Sequence, residues 1–158
     1  MNSITIISLA IIIAACILLI VLMKTIKRKK TQKKFQLLSD FAAKHNSSLS
    51  RYEFFDGISI GLDESSNYLF FMKQNADKKS EQYIDLSKIK NCRVNNISRM
   101  VNGTVVIDRL ELCFSTTVRE EPPLLMEFYN SDYDSVTIAG EVQFIEKWAE
   151  LVNKHLKN

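Results

Sequence analysis

The chain is poor in the residues that most often announce a chemistry. Its 158 residues hold four glycines, two prolines, two histidines and one tryptophan. Gly57, Gly61, Gly103 and Gly140 are too scattered for a phosphate-binding loop or a dinucleotide fingerprint, which need clustered glycines at a strand-to-helix turn. His45 and His155 fall at opposite ends of the chain's second part, each on a helical pattern, where a surface histidine is the ordinary reading. There are three cysteines, Cys16, Cys92 and Cys113, and no C-x-x-C pair. That excludes the usual zinc and thioredoxin-like motifs. Cys92 and Cys113 are expected as two buried free thiols rather than a bridge. Asp63-Glu64 and Asp132 with Asp134 lack the spacing of a calcium loop and read as turns. No cofactor, metal or catalytic residue is assigned.

Acid is also missing from the first quarter of the chain, where the first carboxylate is Asp40. Base is not. Lys24, Lys27, Arg28, Lys29, Lys30, Lys33 and Lys34 place 7 basic residues within 24–34. Overall the chain has 21 Lys+Arg against 18 Asp+Glu, so removing those seven leaves 14 bases against all 18 acids, about −4. The formal charge of +3 therefore belongs to one short stretch. The acidic remainder is a poor partner for nucleic acid, and none is expected.

What the chain has in abundance is one apolar run. Residues 4–23 read ITIISLAIIIAACILLIVLM, without a charge, and 13 of them are Ile, Leu or Val. At ~1.5 Å per residue the run spans about 30 Å, the hydrocarbon thickness of a bilayer. Those thirteen side chains contribute on the order of −4 to −8 kcal/mol to insertion. A cleaved signal peptide needs a basic start and a shorter core; here residues 1–3 carry no basic side chain and the charge follows the run. Ile13-Ala14-Ala15-Cys16 loosely resembles a bacterial lipoprotein box, but ILLIVLM follows where a polar tether belongs. Lysines and arginines stay on the cytoplasmic side. The expected topology is therefore a single pass through the cell (inner) membrane, with residues 1–3 outside, 24–34 as a basic stalk at the cytoplasmic face, and 35–158 as one cytoplasmic domain.

Within that domain, Phe35, Leu38, Phe41, Ala42 and His45 predict an amphipathic helix that stops near Asn46. Strands are expected at 52–62, 68–73, 105–114 and 124–129, with a mixed segment at 82–94. Asp63–Asn67 and Val101-Asn102-Gly103-Thr104 read as turns, and Pro122-Pro123 ends a loop. Val142, Ile145, Trp148, Ala149, Val152 and Leu156 give 141–156 one apolar face and predict a closing helix. The fold class is α+β: an N-terminal transmembrane helix, an amphipathic helix, an antiparallel curled sheet of five to seven strands, and a C-terminal amphipathic helix.

Short strands followed by one C-terminal helix bearing the chain's sole tryptophan resemble the pleckstrin-homology-like (PH-like) fold, over about residues 50–157. The stretches GLDESSNYLFFMK, YIDLSKIKNCRV and GEVQFIEKW look like those of uncharacterised bacterial single-pass proteins with such domains. The resemblance implies a binding or scaffolding module of seven strands, in which Trp148 plugs the core. The family's lipid-headgroup site needs bases around the loop between its first two strands. The matching loop here, GLDESSNY, has none, so phosphoinositide binding is not implied.

The functional expectation is a membrane-tethered, non-enzymatic interaction or scaffolding module with an unknown protein partner. The alternative is an accessory subunit assembled through its transmembrane helix, for which Ala10, Ala14 and Ala15 offer a small-residue patch. The basic cluster sets topology, and anionic lipid headgroups are its candidate ligands.

Overall fold

A computed structural model describes residues 3–75, 79–118, 121–134 and 140–157, with side chains from residue 11 onward. The chain divides into two compact units, Met1–Leu37 and Leu38–Asn158.

One helix, α1 (Ser3–Ala43), runs through the apolar run, the basic stretch and the first amphipathic pattern without interruption. No glycine or proline occurs in it, so nothing in the backbone breaks it. It stops at Asn46, which takes a left-handed φ of 56°. Ser47 N–H then bonds Ala42 O at 3.1 Å and Asn46 N–H bonds Ala43 O at 3.0 Å, the paired closure of a Schellman end. The expected stop is there, and the amphipathic pattern that begins at Phe35 is the last part of this one continuous helix.

Seven strands follow: β1 (Arg51–Phe55), β2 (Ile58–Asp63), β3 (Tyr68–Gln74), β4 (Lys79–Asp85), β5 (Ile89–Val101), β6 (Thr104–Thr116) and β7 (Leu124–Asn130), before helix α2 (Glu141–Leu156). They form two antiparallel sheets, ordered β1-β2-β3-β4 and β5-β6-β7. The single curled sheet expected from the sequence is thus corrected: neither sheet is curled or closed. The break lies inside the segment read as mixed. Asp85 caps a short 3-10 turn, Leu86–Lys88, accepting from Ser87 N–H at 3.1 Å, and β5 leaves in a new ladder instead of pairing with β4. The Ser87 hydroxyl, at 2.6 Å, and then its amide hold the Asp85 carboxyl below its usual range.

A second correction concerns residues 52–62, expected as one strand. They are two, β1 and β2, joined by Asp56-Gly57 with both φ positive, 33° and 84°. A two-residue turn of that kind matches the twist of paired strands. Asn102-Gly103, with φ of 50° and 78°, does the same between β5 and β6, as expected.

One buried cluster draws on both sheets and α2. It includes Ile58, Ile60 and Leu62 of β2, Leu69 and Phe71 of β3, Leu110, Leu112 and Phe114 of β6, and Phe144, Ile145, Trp148 and Val152 of α2. Phe144 belongs there although it was not counted in the apolar face of the helix. The opposite face of β3 is covered too: Phe70 and Met72 pack with Leu38, Phe41 and Ala42 from the last turns of α1. Gly61 permits that approach, since a Cβ on it would stand 2.8 Å from Leu49 Cδ2 and 3.1 Å from Leu38 Cδ2. β2 and β3 are therefore buried on both faces; β3 accordingly reads as a near-continuous apolar run, whereas β2 alternates and turns the small or polar Ser59, Gly61 and Asp63 to its second face.

Candidate functional site

The residues singled out by sequence occupy two places. Lys24, Lys27, Arg28, Lys29, Lys30 and Lys33 are exposed along α1, and Lys34 is half-buried. Just before them, Ile11, Ile12, Ile13, Ile17, Leu18, Leu19, Ile20, Val21, Leu22 and Met23 are all exposed, so apolar side chains meet solvent on every side of the helix. Thr25, the first polar residue past the run without a charge, satisfies its hydroxyl on Val21 O at 2.9 Å. Among the described residues no helix is long and apolar enough to cross a membrane. The apolar side chains described there run from 11 to 23 and end at Lys24, while those of 4–10, the first part of the expected span, lie outside the described residues.

Trp148 is 1% exposed and sits in the cluster between the sheets. Its indole N–H donates to Glu53 Oε2 at 3.1 Å, and Lys147 Nζ reaches the same carboxylate at 2.8 Å. A buried tryptophan with a satisfied N–H is a packing anchor.

One enclosed polar constellation is not visible in the sequence pattern. Lys73 closes the apolar run of β3 and is 7% exposed. Its Nζ lies 2.7 Å from Asp134 Oδ2, 3.6 Å from Glu127 Oε1 and 5.2 Å from the centre of the Tyr133 ring. Asp134 also accepts from Asn130 N–H at 2.7 Å and from the Asn75 side-chain amide. Asn130 in turn donates from Nδ2 to Glu127 Oε2 at 2.9 Å. These groups stand beside a cleft of about 230 Å³ whose walls come from β3, β4 and β7: Phe71 and Lys73, Ser80 and Gln82, Leu125 and Glu127, with Asn75 and Tyr133 at its rim. The result is a small polar recess on an apolar floor, with hydrogen-bond donors and acceptors of both kinds. The one local sign of it is a lysine placed directly after five apolar residues in a strand. Its partner Asp134 comes from the turn after β7, 61 residues away, and had been read with Asp132 as a paired carboxylate in a turn.

Asp63 is not an open cation ligand either. It is 2% exposed and accepts from the Ser65 amide and hydroxyl, the Ser66 amide and hydroxyl, and Ser48 N–H. Burial raises its pKa, but the Ser65 and Ser66 hydroxyls and the Ser48 and Ser66 amides outweigh burial and hold the carboxyl far below its usual range. The loop it closes joins β2 to β3. The loop between the first two strands is Asp56-Gly57 rather than GLDESSNY, a correction that leaves that loop equally without a base.

Cys92 and Cys113 are buried and unbridged. Burial, with Cys113 adding to it, pushes the Cys92 thiol up to about 12. Both backbone groups of Cys92 bond the side-chain amide of Asn153 on α2, N–H to Oδ1 at 2.9 Å and Nδ2 to the carbonyl at 2.5 Å. The helix amide thereby occupies what would otherwise be an open ladder position on β5. The His45 and Tyr83 ring centres lie 3.9 Å apart with their planes tilted by 37°, and His155 Nε2 lies 2.7 Å from Asn67 Oδ1. Neither shares a cluster with other metal-binding side chains; among the described residues no group of three such ligands exists.

Comparison with protein-family models, with curated proteins and with solved structures finds nothing that matches this chain.

Proposed function

We propose that the chain is a single-pass membrane protein whose residues 4–23 cross the bilayer, whose basic stretch lies at the cytoplasmic face, and whose second unit is a non-enzymatic module that docks a protein partner. The observation that carries this reading is the surface of α1. Ten large apolar side chains from 11 to 23 stand exposed around the whole helix and give way abruptly to bases without an acid. An exposed apolar surface of that extent needs a covering phase. A bilayer supplies it, and the charge asymmetry orients the span.

A PH-like assignment of the second unit is part of the proposal. Seven strands precede one C-terminal helix, the strand number of that family, and the sole tryptophan is buried on that helix. The first hairpin turn has no base, which points away from phosphoinositides and toward a protein ligand. The recess beside Lys73 offers a polar place for one.

A cysteine placed at the exposed Lys154, with Cys16 changed to serine, tests the topology. The chain should resist alkaline carbonate extraction, and Lys154→Cys should react with an impermeant maleimide only after cell lysis. Release by carbonate, or labelling of intact cells, would overturn the reading. A photocrosslinker at Gln82 that captures no protein above background would remove the docking part of it.

A further inference from the structure

We infer that Lys24, Lys27 and Arg28 form a docking site for the phosphate of an anionic phospholipid headgroup, an inference that rests on the membrane-spanning reading. The spacing i, i+3, i+4 puts the three on one face of α1, within an arc of about 100° and with neighbouring Cβ atoms ~5–6 Å apart. All three are exposed. The nearest acid in sequence, Asp40, is about 18 Å further along the helix, so nothing local neutralises them.

Lys29, Lys30 and Lys33 occupy the other side of the helix. Exposed Ile26 lies among them, so that face is no pure cation surface. Distance sets only Lys33 apart, since Lys29 and Lys30 lie about 7.5 and 9 Å beyond Lys24 and differ from the trio in face alone. Lys24 follows Met23 directly, and Arg28 is only about 6 Å beyond it, within one ~8 Å screening length at physiological salt. Lys33 is about 14 Å out, where a headgroup field is largely screened. Arg28 adds a planar fork that matches two phosphate oxygens, with the two lysines as point charges beside it. The trio is thus the one face next to the apolar run that sets three cations side by side with no exposed Ile among them. A nucleic acid fits less well, because the unit that follows carries about −4.

The test is full-length protein in nanodiscs of phosphatidylcholine with a minor fraction of phosphatidylglycerol, released for native mass spectrometry. Retained phosphatidylglycerol should exceed its bulk share several-fold. Lys24→Gln/Lys27→Gln/Arg28→Gln should bring it back to the bulk share. Lys29→Gln/Lys30→Gln/Lys33→Gln, which removes the same charge, should leave the enrichment within twofold of wild type. Equal losses in the two triple variants would overturn the site, since they would mean a diffuse charge effect. Displacement of the lipid by millimolar inorganic phosphate, or by single-stranded RNA, would overturn the assignment to a bilayer headgroup. Protein that fails to enter nanodiscs at all would instead sink the membrane-spanning reading. Protein that enters without enriching phosphatidylglycerol would sink this inference alone.

Discussion

Asp63 shows how one side chain can hold a loop together. Its two oxygens collect the hydroxyls and amides of Ser65 and Ser66, and Ser48 N–H from the segment after α1. Because its folded pKa is depressed, it contributes stability fully above the unfolded carboxylate value of about 3.9, and loses it as pH falls toward the lower folded value. Asp63→Asn places an amide N–H against those donors and should cost roughly 1–3 kcal/mol at pH 7. The gap to wild type should shrink between about pH 4 and pH 2. Urea unfolding followed by the fluorescence of buried Trp148 reads this directly; a gap that stays constant with pH would refute it. The sequence around Asp63 was legible as a turn. The donor that was not legible is Ser48, 15 residues away, because only the packing of the α1 end on the sheet brings its amide over.

Elements tell a similar story at longer range. Asp56-Gly57 and Asn102-Gly103 are chemically alike, yet only the second was read as a turn. The first sits between Phe55 and Ile58 in a stretch where apolar residues continue on both sides, so the pattern ran on through it. The two glycines differ in their surroundings. A Cβ on Gly57 would stand 2.7 Å from the Gln74 carbonyl oxygen, whereas a Cβ on Gly103 has nothing within 4 Å. Gly103→Ala should therefore cost roughly 1 kcal/mol, the left-handed backbone alone, and Gly57→Ala roughly 3 kcal/mol. Thermal unfolding of both variants checks the order; equal shifts would mean that the Gln74 contact yields freely. Helix α2, by contrast, was legible to its ends at Glu141 and Leu156, since a 16-residue amphipathic period needs no long-range information.

At the scale of the molecule, the step from one sheet to two was the part the sequence hid. Strand count was within reach, but pairing is a long-range property, and the short capped turn at Asp85 looks like any polar interruption of a strand. Two sheets need something besides the apolar core to keep their edges together, and Lys73 supplies a polar tie. It lies on β3 of the four-stranded sheet, and Asp134 and Glu127 belong to the β7 side of the other. Both side chains of the Lys73–Asp134 pair are 9% exposed. Removing one partner of such a buried pair strands the other and costs about 3–5 kcal/mol. Lys73→Met and Asp134→Asn should each fall in that range in urea unfolding of the detergent-solubilised chain. The double variant should lose about 1–3 kcal/mol less than the sum of the two. Strict additivity would mean that the pair does not couple the sheets. A coupling of the expected size, together with a single Trp148 transition, would mean that the four-stranded and three-stranded sheets unfold as one unit, joined at the recess where a partner is proposed to dock.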